Sequence, residues 1–216
     1  MNRLTMGALL SLGLAASAQA NVTFIQGNDP SQIVNNVLFD NGEMGSPILG
    51  DLNGPAPDNV ITFTSSTDQL RTTASGQANL EAVDGGINQL TIGTVSPFVG
   101  FEAIQFAVQG SAGSTINITA NDNMGGPFVS GPILLTNANT TFTFNTDALQ
   151  FITSLSFVAS GGGVVLGGVE NLRQVGVGAL VVPGPIAGAG LPALMALGGF
   201  VWARRRKSEQ GAALPA

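Results

Sequence analysis

The chain has 216 residues, with 13 acidic side chains against seven Lys or Arg, a formal charge of −6, and it contains no His, no Cys, no Tyr and a single Trp. Arg3 and the cluster Arg204, Arg205, Arg206 and Lys207 hold five of the seven cations, so residues 21–182 carry twelve acids against Arg71 and Arg173, a net −10. That excludes a basic groove for nucleic acid, which needs clustered cations against phosphates, a disulfide framework, and any triad or metal centre built on imidazole or thiolate.

At the N-terminus, Arg3 precedes an apolar stretch from Leu4 to Ala16, and Ala18-Gln19-Ala20 has the small-x-small pattern of a signal peptidase site. Residues 1–20 are predicted to be a signal peptide, cleaved by signal peptidase before Asn21. The segment that follows is then exported.

Period-two alternation dominates the exported segment. One short stretch, Ser31 to Phe39, places Ile33, Val34, Val37 and Leu38 at helical spacing, although its β-branched residues suit a strand equally well. A Pro/Gly-rich loop is expected over 41–59, with Pro47, Pro55 and Pro57. Alternation then recurs at Ile61/Phe63, Leu90/Ile92, Ile104/Phe106/Val108, Ile116/Ile118, Phe142/Phe144 and Leu155/Phe157, each flanked by Thr, Ser, Asn or Gln. Turn signals separate these runs at Asp84-Gly85-Gly86, Gly110 to Gly113, Asn121 to Gly126 and Ser160 to Gly163, and a second Pro/Gly-rich loop is expected over 122–132. One greasy and one wet face per run is the signature of antiparallel strands. The prediction is all-β: a jelly-roll-like β-sandwich ectodomain of about ten strands over 21–175, then a linker over 176–181.

Chemistry-bearing patterns are sparse. Glycosidases need only two carboxylates, and Asp40 with Glu43, or Asp122 with another acid, are the candidates, but acids in Gly/Asn-rich turns are ordinarily solvated turn-formers. The run Asp51, Asn53, Asp58, Asn59 and the pair Asp122, Asn123 supply oxygens of the kind calcium takes, without EF-hand spacing. Plain turns are the simpler reading, so no cofactor is expected beyond the option of a structural calcium. Sugar stacking would fall to Phe98 and Phe128, which follow prolines in loops. Arg71 and Arg173 are expected to pair with carboxylates across strands, with Glu170 or Asp147 as candidates for Arg173. No catalytic residues and no metal site are assigned, and the domain is expected not to be an enzyme.

The C-terminus is the most specific part of the sequence. Val182-Pro183-Gly184-Pro185 is followed by a charge-free apolar run over 186–203, then by Arg204, Arg205, Arg206 and Lys207, then by residues 208–216. Eighteen helical residues span about 27 Å, at the short end of what a bilayer core of about 30 Å requires, and the basic stop holds the last residues in the cytoplasm. The three-part tail over 182–207 resembles the PEP-CTERM sorting signal of Gram-negative bacteria, with Gly184 where that signal has glutamate. The resemblance implies an exosortase as processing partner, with Pro183 and Pro185 as recognition residues. It also implies an inner-membrane intermediate, and delivery to the cell surface or the extracellular matrix of a biofilm. The function expected on this basis is that of a non-enzymatic surface or matrix protein. The alternative is a carbohydrate-binding adhesin for exopolysaccharide.

Overall fold

The computed structural model describes residues 22–53, 60–77, 79–97, 99–124, 126–147, 150–161 and 168–182. The expected signal peptide over 1–20, Pro183 to Pro185, the apolar run 186–203 and Arg204 to Lys207 lie outside the described residues. Among those described, no helix is long and apolar enough to cross a membrane.

Sixteen strands account for the described regular structure, and there is no helix among them. In chain order they are β1 (Val22–Gln26), β2 (Asn35–Leu38), β3 (Met44–Gly45), β4 (Ile48–Leu52), β5 (Ile61–Thr64), β6 (Leu70–Thr72), β7 (Leu80–Ala82), β8 (Gln89–Thr94), β9 (Gly100–Phe101), β10 (Ala103–Gly110), β11 (Thr115–Asp122), β12 (Phe128–Leu134), β13 (Asn139–Thr146), β14 (Ile152–Ser160), β15 (Val169–Val177) and β16 (Leu180–Val181). All pairings are antiparallel, and one continuous path runs β1-β13-β10-β15-β2-β4-β5-β8-β14-β11-β12. β3, β6 and β7 attach beside β15, while β9 and β16 attach beside β14.

The path curls so that its first half, centred on β10, faces its second half, centred on β14. Phe106 of β10 and Phe157 of β14 meet across this gap with ring centroids 6.4 Å apart. The two ends of the path also face each other, with Phe24 of β1 and Phe128 of β12 at 5.6 Å. Strand alternation produces this directly. Ile61, Phe63, Leu90, Ile92, Ile104, Phe106, Ile116, Ile118, Phe142, Phe144, Leu155 and Phe157 are all fully buried, each contributing about 1.5–3 kcal/mol of transfer free energy. With no disulfide, this core is what holds the layers together.

Three expectations about elements change. The helical spacing at Ser31 to Phe39 gives no helix: residues 27–34 cross over the outside of the first layer, and β2 follows. Val37 and Phe39 are buried on the strand period, so pairing with β4 and β15 overrides the local pattern. The loop expected over 41–59 contains β3 and β4, and β12 begins inside the second expected loop. The linker expected over 176–181 is part of the sheet. Gly176 and Val177 end β15, Gly178 donates its N–H to the Ala103 carbonyl at 2.7 Å, and β16 pairs with β9. Gly176 and Gly178 suggested a spacer, but Val177 is fully buried, and the glycines permit close backbone approach.

Candidate functional site

The outer face of the first layer carries a cleft of about 310 Å³ lined by Asn28, Pro30, Ile33, Asn36, Gln77, Gln105, Gln174 and Gly176. Five of these eight side chains are carboxamides and none is charged. The floor comes from β10, β15 and β2, where Gln105 pairs with Gly176 and Gly176 with Asn36. One wall is the crossover segment between β1 and β2, and Gln77 supplies the opposite rim.

Two features shape it. The first is a bulge. Gln105 pairs with Gly176 and Ala107 with Arg173, so Gln174 and Val175 share the space opposite Phe106. Gln174 takes up the extra residue with φ of 53°, a left-handed conformation that costs a non-glycine residue about 1–2 kcal/mol. Such bulges re-aim side chains, and this one leaves Gln174 exposed at the cleft. The second is Gly176. A Cβ there would lie 2.5 Å from Ile33 Cγ2, so only glycine lets the crossover segment settle onto the sheet.

Hydrogen bonds pin the crossover. The Gln105 carbonyl oxygen accepts from the Asp29 backbone N–H at 3.0 Å and lies 3.0 Å from the Thr143 hydroxyl, which in turn lies 2.8 Å from the Gly27 carbonyl. Thr143 is fully buried in consequence. With its oxygen engaged, Gln105 has its NH₂ donors left for the cleft. A carboxamide both donates and accepts, so the site is chemically matched to hydroxyl and amide groups, and its neutrality within an acidic domain disfavours anions.

A second polar centre lies between β5, β6 and β8. The Asp68 carboxylate accepts from the Thr67 hydroxyl (2.6 Å), the Ser65 hydroxyl (3.1 Å), the Asn88 N–H (2.9 Å) and the Asn88 side-chain amide (2.9 Å). Burial opposes its ionisation, but hydrogen bonds from Thr67, Asn88 and Gln89 outweigh burial and hold the carboxyl below the ordinary range. The donors come from the loop residues Ser65, Thr67 and Asn88 and from the first residue of β8, Gln89, so Asp68 is a structural tie.

Most of the residues singled out from the sequence do not converge on a site. Asp40 and Glu43 bracket a turn whose backbone is tied to Thr72. Of the candidate calcium ligands, the Asn53 side-chain oxygen accepts the Asn36 N–H at 2.8 Å, that of Asn123 accepts the Phe151 N–H at 3.0 Å, and Asp122 accepts the Met124 N–H at 2.7 Å. Asp58 and Asn59 lie outside the described residues. Among the described residues no cluster of three or more acidic side chains is placed to hold a metal ion. Arg71 pairs with Glu81 at 3.1 Å across β6 and β7, as expected for a cross-strand pair. Arg173 does not meet Glu170 or Asp147. Its Nε donates to the Asn139 side chain at 3.0 Å, and Glu170 accepts from Ser111 instead. A register shift between Gln109 and Gly110 places the exposed Glu170 at an irregularity of β15, beside Ser111. Phe128 is not a ligand platform, since its ring packs edge-on against Phe144 at 5.9 Å as well as against Phe24. Phe98 lies outside the described residues.

The cleft itself was missed from the sequence. Its carboxamides are scattered from Asn28 to Gln174, and only the crossover and the bulge bring them together. A lone glutamine between Arg173 and Val175 gives no signal of a left-handed backbone.

No family model and no curated protein matches the chain. Among solved structures, a family 29 carbohydrate-binding module superposes with a TM-score of 0.26 at 11% identity, over 76% of this chain and 88% of its own. A point mutant of a module of that family gives a TM-score of 0.26 at 12% identity, over 76% and 92%. Superposition at that score does not establish a common fold.

Proposed function

We propose that this is an exported, non-catalytic surface or matrix protein whose jelly-roll-like ectodomain binds a neutral, hydroxyl-rich ligand, a saccharide of the surrounding exopolysaccharide, in the carboxamide cleft. The observation that carries the binding reading is the cleft lining: five carboxamides, no charge and an apolar wall at Ile33 and Pro30. Hydrogen-bonding side chains of this kind reject a ligand that lacks the matching groups. Without an aromatic platform the affinity is weak, with a Kd on the order of 1 mM, or about −4 kcal/mol.

Delivery rests on the sequence alone. Ala18 and Ala20 mark signal-peptidase cleavage. Val182-Pro183-Gly184-Pro185, the apolar run 186–203 and Arg204 to Lys207 form the exosortase-type address. Helix 186–203 then anchors an inner-membrane intermediate.

Titration of the full-length protein with soluble neutral oligosaccharides, followed by amide chemical shifts or calorimetry, tests the binding. Gln174→Ala and Gln77→Ala are expected to weaken it severalfold each while leaving the fold intact. Binding unchanged in both variants would remove the cleft from the proposal. Intact mass of the secreted form tests the address separately, since a mature protein that still contains 186–216 would refute processing.

A further inference from the structure

The chain contains two Asn-Gly dipeptides, Asn41-Gly42 and Asn53-Gly54. They share one intrinsic reactivity, because glycine puts no side chain in the way when its backbone nitrogen attacks the preceding carboxamide. The fold treats them differently. Asn41 is exposed in the turn between β2 and β3, and among the described residues no group hydrogen-bonds its side chain or the Gly42 N–H. Gly42 has a φ of 75°, and a Cβ there would meet nothing within 4 Å. Asn53 is tied twice. Its side-chain oxygen accepts the Asn36 N–H at 2.8 Å, and its own N–H donates to the Asn36 carbonyl at 3.1 Å. That carboxamide must give up a hydrogen bond before it can turn toward the next nitrogen.

One side chain closes the turn around Asn41. The Thr72 hydroxyl accepts the Glu43 N–H at 3.0 Å and donates to the Asp40 carbonyl at 2.5 Å, and Thr72 itself is buried. The Thr72 N–H also donates to the Glu43 carbonyl at 2.9 Å. These bonds flank the Asn41–Gly42 peptide without engaging it. They fix the span that the two residues bridge, and they hold β3 against β6, where Met44 pairs with Arg71.

We propose that Asn41 is a site of spontaneous deamidation, and that the change unlocks this turn from Thr72. The Gly42 backbone nitrogen attacks the side-chain carbonyl carbon of Asn41. A C–N bond forms, and the side-chain nitrogen leaves as ammonia, taking the proton of the Gly42 N–H. Water then opens the cyclic imide. Opening at the side-chain carbonyl gives aspartate. Opening at the backbone carbonyl gives isoaspartate, whose main chain runs through Cβ and is longer by one carbon. Either product adds a carboxylate between Asp40 and Glu43, where like charges repel. The longer chain no longer fits the span from the Asp40 carbonyl to the Glu43 N–H that a single hydroxyl bridges.

The test is peptide mapping by mass spectrometry of purified full-length protein aged in mildly alkaline buffer, with isoaspartate separated from aspartate by chromatography. In the native protein the Asn41 peptide is expected to gain the mass difference between an oxygen and an NH group severalfold faster than the Asn53 peptide. In urea, where no fold distinguishes them, the two rates are expected to converge. Equal native rates, or a faster Asn53, overturn the assignment. Asn41→Gln is expected not to convert, since its side chain must close a larger ring. Amide exchange tests the unlocking. Glu43 and Thr72 are expected to exchange faster in the isoaspartate form than in fresh protein, and unchanged exchange overturns it. Asn41→Asp adds the charge without the extra backbone atom and is expected to exchange like fresh wild type. Exchange in that variant as fast as in the isoaspartate form would assign the loosening to charge and refute the role of chain length.

Discussion

The outer face of the first layer gathers carboxamides beside a crossing segment, whereas that of the second carries open rows of Thr and Ser. A glycine near the middle of each makes the contrast concrete. At Gly176 a Cβ would lie 2.5 Å from Ile33, beneath the crossover segment, whereas at Gly93 it would meet only Thr62 at 3.5 Å. One glycine is required by what lies on top of it, and the other is a gap in an open row. The concave, amide-lined site arises where a bulge and a crossing segment coincide. The β5–β8 and β8–β14 pairings, which no shift interrupts, carry aligned small polar side chains instead.

The largest expected effect falls on what the layers share. Phe106 touches Phe142, Phe144 and Phe157, so Phe106→Ala should cost about 3–5 kcal/mol in urea unfolding. A smaller loss would mean the layers are less interdependent than their packing implies. Gly176→Ala should cost about 1–3 kcal/mol through overpacking against Ile33 and should also loosen the crossover, seen as faster amide exchange at Asp29. Gly93→Thr should reverse the sign and stabilise by up to about 1 kcal/mol, because threonine suits a strand better than glycine. Equal outcomes at the two glycines would abolish the contrast.

Asp68 sharpens the comparison through pH. Its carboxyl titrates below the ordinary range, so its contribution is fully present above the unfolded value of about 3.9 and is lost as pH falls through the folded value. Asp68→Asn should cost about 1–3 kcal/mol at pH 7 and flatten the acid limb of the stability profile. An unchanged acid limb would show that other carboxylates govern it. The smallest effect is expected at the bulge. Gln174→Gly relieves the left-handed strain and should stabilise by up to about 1 kcal/mol while weakening ligand binding. Stability and binding moving together would count against a functional role for Gln174.

Legibility followed the length scale of the interaction. Ile116 with Ile118 and Phe142 with Phe144 declare their strands because a buried face repeats every second residue along the chain. Val37 and Phe39 were ambiguous because two apolar pairs fit either period, and pairing with β4 and β15 decided between them. Phe128 looked like a loop residue after Pro127, but its contacts with Phe24 and Phe144 depend on strands distant in sequence. Arg71 met Glu81 as a cross-strand partner should, since β6 and β7 are close in the chain. The partner of Arg173, Asn139, was hidden because strand register alone brings it near.

By itself, the sequence determined that this is an acidic, cysteine-free chain of alternating strands, because composition and the two-residue period are local and covalently contiguous. Only the tertiary structure decided that residues 176–181 belong to the sheet, that Gln174 turns left-handed into a carboxamide cleft, and that Thr64, Thr91, Ser156 and Thr119 stand in one row. Those outcomes depend on strand order and register, which are set by the packing of the whole core and leave no mark at any single position in the chain.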